Sequence, residues 1–250
     1  MMRDTPRLWT PRRRKLWTPR RPGVCDLLGI TNLIGFGGGG IDSYSVNFDG
    51  SNDYLEVADN AAWDYGTGAF TLEGFFRFGS TASRMLCGRY NVGASAFGSL
   101  QIASSTQFYW YYGNGASYGF TTSALSTAIW YHLAACRDGS GNLRFFLDGT
   151  QQGSTQNDSG TNYGGTAPFR ISAAHQSSPD YFSGDCSNFR VVKGSALYTA
   201  NFTRPAEPLQ AVTNTVLLTC QDGTIKDNSS NAFSITNSGG ATVIAESPFG

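Results

Sequence analysis

Residues 69–78 place Phe70, Leu72, Gly74, Phe76 and Phe78 on one side of an extended chain and Thr71, Glu73 and Arg77 on the other. Successive side chains of a strand point to opposite faces, so this period of two predicts a strand with one face in a core and one facing out. The same grammar recurs. Residues 44–48 alternate and stop at Asp49-Gly50, a hairpin signal. Residues 130–137 and 143–147 read as a hairpin across Asp138-Gly-Ser-Gly-Asn142, and the second of them ends in another turn, Asp148-Gly149. Residues 169–173, 188–192 and 216–220 supply later strands.

Composition agrees with strands. The chain holds 31 Gly and 14 % aromatic residues, and the stretch after residue 40 has few helix-forming runs. Short strands in regular succession, with no helical segment, predict an all-β fold: a two-sheet antiparallel sandwich over residues 41–250. No apolar run approaches the ~20 residues of a membrane-spanning helix, so no membrane insertion is expected. The five cysteines (Cys25, Cys87, Cys136, Cys186, Cys220) show no metal-binding spacing and read as free, mostly buried thiols.

Residues 1–40 read differently. Residues 1–22 contain eight Lys and Arg against one acid, Asp4, a balance of +7; residues 23–250 contain ten bases against seventeen acids, a balance of −7. The hexapeptide Leu8-Trp-Thr-Pro-Arg-Arg13 returns as Leu16-Trp-Thr-Pro-Arg-Arg21. Pro6, Pro11, Pro19 and Pro22 oppose a continuous helix, and like charges favour an extended chain. This composition predicts an extended docking arm that orders on a partner, with Trp9 and Trp17 as anchors and Arg12, Arg13, Arg14, Arg20 and Arg21 as partners for carboxylates or phosphates. A free disordered tail and a nucleic-acid-binding arm are the competing readings. Asp26 and Asn32 interrupt residues 24–36, so a secretory leader is not expected. The glycine-rich run 35–40 is the expected hinge.

Several motifs are those of a known family. Val46-Asn-Phe-Asp-Gly-Ser-Asn-Asp-Tyr-Leu55, Phe70-Thr-Leu-Glu-Gly-Phe-Phe76, Trp130-Tyr-His-Leu-Ala134 and Leu143-Arg-Phe-Phe-Leu-Asp-Gly149 resemble the opening, the next long strand and the central hairpin of laminin-G-like, concanavalin A-like jelly rolls. Asn188-Phe-Arg-Val-Val-Lys-Gly-Ser-Ala-Leu-Tyr198, Phe202-Thr-Arg-Pro205, Leu217-Leu-Thr-Cys-Gln221 and Asp227-Asn-Ser-Ser-Asn231 resemble the laminin-G-like domains of tailed-bacteriophage virion proteins. The resemblance covers about residues 44–250 and leaves the arm out. It implies a jelly-roll sandwich. It also implies loop-bound Ca2+ in many relatives, for which Asp49, Asp53, Asp185 and Asn188 are the matching positions. Where such relatives carry paired acids, Ser187-Asn188 stands here, and the competing reading is that Asp49 and Asp53 organise a turn.

Glucanases share this broad fold, and they need two carboxylates about 5–5.5 Å apart when retaining. The body has four Glu (Glu56, Glu73, Glu207, Glu246), with Glu73 alone on its strand; His132 reads as a structural histidine, and His175 lies in a polar loop. Non-enzymatic function is expected. In Phe108-Tyr-Trp-Tyr-Tyr112, alternation puts Phe108, Trp110 and Tyr112 on one side and Tyr109 and Tyr111 on the other, so five aromatics cannot all enter one core. Tyr109, Trp110, Tyr111 and Tyr112 therefore stand as candidates for loop cover, a subunit contact or stacking on a sugar. The expected function is that of a phage virion structural protein: a capsid or tail decoration or attachment protein. Its arm would dock on other virion proteins and its jelly roll would be displayed in multiple copies. A receptor protein of a tail fibre or spike, binding host surface glycans, is the alternative.

Overall fold

A computed structural model describes residues 44–90, 98–113, 115–174 and 180–250. The arm, its hinge, Cys25 and His175 lie outside the described residues. Fifteen strands account for the regular structure: β1 Ser45–Asp49, β2 Tyr54–Val57, β3 Phe70–Phe78, β4 Arg84–Gly88, β5 Ser99–Ser104, β6 Gln107–Tyr111, β7 Ser117–Thr121, β8 Trp130–Arg137, β9 Asn142–Leu147, β10 Thr150–Asn157, β11 Phe169–Ile171, β12 Ser183–Lys193, β13 Thr215–Thr219, β14 Ile235–Ser238 and β15 Thr242–Ile244. A 3-10 turn, Ala61–Trp63, is capped by Asn60, whose side chain accepts from the Ala62 amide. Among the described residues, no helix is long and apolar enough to cross a membrane.

The strands form two antiparallel sheets. Sheet A runs β10-β9-β8-β3-β12-β1-β15, with β13 also paired to β12; sheet B runs β14-β2-β11-β4-β5-β6-β7. Their inner faces make one continuous core that includes Phe48, Phe70, Phe76, Phe78, Leu100, Phe108, Trp110, Phe145 and Phe189. This is the predicted two-sheet sandwich.

Two expectations change. Asp49-Gly50 is not a hairpin turn: β1 lies in sheet A and β2 in sheet B, so residues 50–53 carry the chain across the sandwich. The Asp49 carboxylate accepts from the Ser51 and Asn52 amides, and Asp53 accepts from the Asp49 amide at 3.0 Å, which stabilises a crossing rather than a reversal. Nor is β3 half-buried. Its outward residues Thr71, Glu73 and Phe75 are as enclosed as its inward ones, because the irregular segment 194–214 and the C-terminal Phe249 lie over that face of sheet A. Leu209, Leu218, Trp130 and Phe249 pack around Phe75, while Ala196, Tyr198 and Phe202 cover Ala134, Cys136 and Phe146.

The Asp148-Gly149 turn is a hairpin, with positive φ at both residues (47° and 79°), as a tight two-residue connection requires. A Cβ at Gly149 would collide with the Phe202 carbonyl oxygen, so this glycine also lets segment 194–214 lie against the hairpin. The long strand β12 pairs with β3 along one side. Along the other it pairs first with β1 (residues 183–186) and then with β13 (residues 189–192). The change falls at a bulge containing Asn188, whose φ is 51°. Asn tolerates the left-handed region better than most residues.

Candidate functional site

The aromatic run on β6 divides as alternation requires. Phe108 and Trp110 enter the core; Trp110 stacks on Phe70 and donates from Nε1 to the Tyr163 hydroxyl at 2.9 Å. Trp110 is completely buried, which removes it from the candidate contact residues: its indole is needed inside, where its N–H has a partner. Tyr112 stacks on Tyr118 with ring centroids 4.4 Å apart, and both pack against the core edge.

Tyr109 and Tyr111 lie on the outer face of sheet B and are half-buried. The Tyr111 hydroxyl donates to Gln101 Oε1 on neighbouring β5 at 3.0 Å, and Tyr90 meets the Tyr111 ring edge-on at 5.0 Å. Burial, reinforced by Tyr90, Tyr109 and Asp180, raises the Tyr111 pKa, so its hydroxyl keeps its proton and remains a donor. The same face carries a second aromatic group. Arg170 on β11 places its guanidinium 4.3 Å from the centroid of the Tyr54 ring on β2, and its Nε donates to Glu56 at 2.7 Å. Tyr181 stacks on Tyr54. Because β2 and β6 are four strands apart, the two aromatic groups flank a sheet surface roughly 19 Å across.

The four residues proposed as calcium ligands are not grouped as a cation site. Asp185 accepts from Arg77 Nε at 2.7 Å and from the Asn47 amide at 2.8 Å. Asp49 and Asp53 are engaged in the crossing described above. Asn188 accepts from the Leu209 amide at 2.9 Å and donates to Ser187, which anchors segment 194–214. Among the described residues, no three His, Cys, Asp or Glu side chains are grouped to hold a metal ion. Asp49 and Asp185 do share a cavity of about 460 Å³ at the ends of β1, β3 and β12, together with Asn47, Arg77 and Thr127. The donor set there includes the cation Arg77, which is a poor companion for Ca2+.

Glu73 is the hub of the covered face of sheet A. Its Oε1 accepts from Arg190 Nε at 2.9 Å and Nη2 at 2.6 Å; its Oε2 accepts from the Tyr198 hydroxyl at 3.0 Å and lies 3.0 Å from His132 Nε2. Burial pushes this carboxyl up, but the bond from His132 and the Arg190 charge outweigh it and hold the acid below its usual range. Glu73 and His132 are both fully enclosed. His132 is enclosed and bonded to Glu73 through Nε2, while its Nδ1 is buried with no protein partner among the described residues. Nothing in the sequence marks Arg190 and Tyr198 as its partners; the available signal is a lone acid on a strand, which needs a buried cation once the strand is covered on both faces.

This architecture, two antiparallel sheets with a filled core and one aromatic outer face, is a lectin-like concanavalin A-type jelly roll. The sequence profile described as the concanavalin A-like lectin/glucanases superfamily matches residues 49–198, and the chain belongs to that family. A candidate carbohydrate binding protein from Bacteroides ovatus has a similar structure (TM-score 0.64, 18 % identity); the match covers 82 % of this chain and 60 % of that one. A native heptameric SAP-like pentraxin from Limulus polyphemus is also similar (TM-score 0.58, 14 % identity), over 82 % of this chain and 95 % of the pentraxin. At these identities the likeness is one of fold. A search of curated protein sequences finds no match.

Proposed function

We propose that this protein is a non-enzymatic component of a tailed-phage virion, held to the particle by its basic arm and presenting the jelly roll outward. The observation that carries the non-enzymatic reading is the state of Glu73. It is engaged by three partners and closed off by segment 194–214, a state unsuited to protonating a leaving group or attacking a sugar. The virion assignment is supported by the resemblance of 188–198 and the segments that follow to tailed-phage laminin-G-like domains. The split of +7 and −7 between arm and body also supports it. Mass spectrometry of density-banded particles tests the assignment: the chain at fixed stoichiometry supports it, and absence from particles refutes it.

A second reading, glycan recognition, is favoured by the outer face of sheet B. Tyr109 and Tyr111 offer aromatic surface, with the Gln101 amide beside them and Arg170 and Glu56 across the sheet. Aromatic rings stack on the apolar faces of sugars while planar polar groups bond their hydroxyls. The candidate carbohydrate binding protein that shares the fold adds support. The two readings are compatible: an arm-anchored virion protein can display a glycan-binding face.

A further inference from the structure

Past Phe75, the outer face of sheet A opens into the cavity that Asp49 and Asp185 share. Pairing aligns Asn47 with Asp185 and Asp185 with Arg77, so β1, β12 and β3 contribute one row of side chains; Asp49 and Ser183 form the next row on the same face. The Gly79 amide donates to the Ser183 carbonyl at 2.9 Å, so this residue stands beside Ser183 and adds no side chain to the second row. The connection before β8 closes the far side: the Ala128 amide donates to the Phe78 carbonyl at 2.9 Å, and Thr127 lines the wall beside it. The cavity holds about 460 Å³, within the ~300–1,000 Å³ of small-ligand sites. Ala128 has a φ of 60°, a strained backbone for a residue with a Cβ, and strain of this kind gathers at ligand sites.

The hydrogen-bonding capacity left there defines what the cavity can hold. Asp185 is fully committed, one oxygen accepting from Asn47 and the other from Arg77. Arg77 is matched by Glu246 as well. Among the described residues, no hydrogen bond engages Asn47 Oδ1, Asp49 Oδ2, Arg77 Nη1 or the Ser183 and Thr127 hydroxyls. The acceptors, the donor and the two hydroxyls together suit a ligand whose own groups both give and take hydrogen bonds, as the hydroxyls of a sugar do. An apolar guest would leave these groups unpaired. One uncommitted carboxylate oxygen is too little for Ca2+, which takes 6–8 oxygen ligands. An anion is disfavoured too: Asp49, Asp185 and Glu246 stand around a lone guanidinium, so the local charge is negative.

We propose that this cavity binds an uncharged sugar, at a site separate from the Tyr109 and Tyr111 face of sheet B. Asp49 and Asn47 accept from the sugar's hydroxyls, Arg77 donates to one of its oxygens, and Ser183 and Thr127 serve in either role. A carboxylate holds hydroxyls through charge-assisted bonds and repels the acidic groups of sialic and uronic acids. The class of ligand rests on the glycan-recognition reading; the site itself rests on its own residues.

The test is saturation-transfer NMR on the full-length protein with millimolar D-glucose, D-galactose, D-mannose, N-acetyl-D-glucosamine, D-glucuronic acid or N-acetylneuraminic acid. At least one neutral sugar should give a transfer signal, and neither acid should. Thr127 is exposed, so Thr127→Trp fills the mouth of the cavity without disturbing the core and should weaken binding by about tenfold or more. Thr127→Val keeps the shape, loses the hydroxyl and should weaken binding a few-fold. Ser154→Trp, at an exposed position on β10, should leave the signal unchanged. Silence from every neutral sugar, a signal from either acid, or binding that survives both Thr127 changes would each overturn the site. So would a signal that is lost in Tyr109→Ala with Tyr111→Ala but kept in Thr127→Trp. That outcome would assign the sugar to sheet B and leave the glycan reading itself standing.

Discussion

The Tyr198 hydroxyl donates to Oε2 of Glu73 at 3.0 Å and so ties the irregular segment 194–214 to the middle of β3. The same carboxylate holds Arg190 through its other oxygen, and Arg190 in turn donates to the Gln210 carbonyl further along that segment. One buried acid thus fastens the cover at two points.

Removing the acid should cost more than removing one of its donors. Glu73→Ala leaves the Arg190 charge enclosed and unpaired, for an expected loss of about 3–5 kcal/mol. Tyr198→Phe removes a single charge-assisted bond, for about 1.5–3 kcal/mol. Urea denaturation followed by tryptophan fluorescence measures both. Equal losses would mean that Glu73 is not the hub.

Stability should fall in acid partly through the 138–142 turn. Burial raises the Asp138 carboxyl, but bonds from Arg144, Asn142 and Ser140 outweigh it and bring its pKa to about 2. The folded pKa lies below the unfolded value of about 3.9, so this contribution is complete above pH ~4 and is lost as pH falls toward 2. Asp138→Asn should flatten the decline of stability between those two pH values. An unchanged pH profile would show that other carboxylates carry the effect.

Sheet B offers a direct test of glycan recognition. Replacing both Tyr109 and Tyr111 by Ala removes the exposed aromatic surface while Phe108 and Trp110 keep the core intact. On a glycan array of host surface saccharides, wild type should bind a subset, and the double variant should bind it at least tenfold more weakly, a difference of about 1.4 kcal/mol or more. Binding unaffected by the double change would move recognition elsewhere on the body.

The parts of this fold that were legible were those governed by local period and turn chemistry. The inward set Phe70, Leu72, Phe76 and Phe78, the Asp148-Gly149 hairpin and the division of Phe108 and Trp110 from Tyr109 and Tyr111 all follow from neighbouring residues. What escaped was long-range. Of the residues read as outward, Thr71 and Glu73 are enclosed because their cover comes from residues 120 or more positions later, in a segment with no periodicity of its own. Asn188 resembled a metal ligand because its residue type and position matched one. Its φ of 51° and its bond from Leu209 make it a bulge and an anchor. Asp49-Gly50 has the sequence of a hairpin turn; whether the chain reverses or crosses between sheets depends on the pairing of strands far away.

The arm should dock through its aromatics. Trp9→Ala with Trp17→Ala should weaken attachment at least as much as neutralising Arg12, Arg13 and Arg14, since buried aromatic anchors cost about 2 kcal/mol or more each and exposed charge pairs about 1 kcal/mol or less. Attachment should also survive a rise in ionic strength. Salt-labile binding that ignores the Trp changes would indicate an electrostatic tether, to nucleic acid or to a charged surface.

Comparing full-length protein with a chain lacking residues 1–40 in co-sedimentation with purified particles tests the virion assignment most directly. The truncated chain keeps all the strands and core residues among the described residues, so it should remain folded and soluble. It should nonetheless be absent from the particle fraction, while the full-length protein sediments at a fixed copy number. Truncated protein that sediments with particles at the full-length stoichiometry would contradict an arm-anchored virion component.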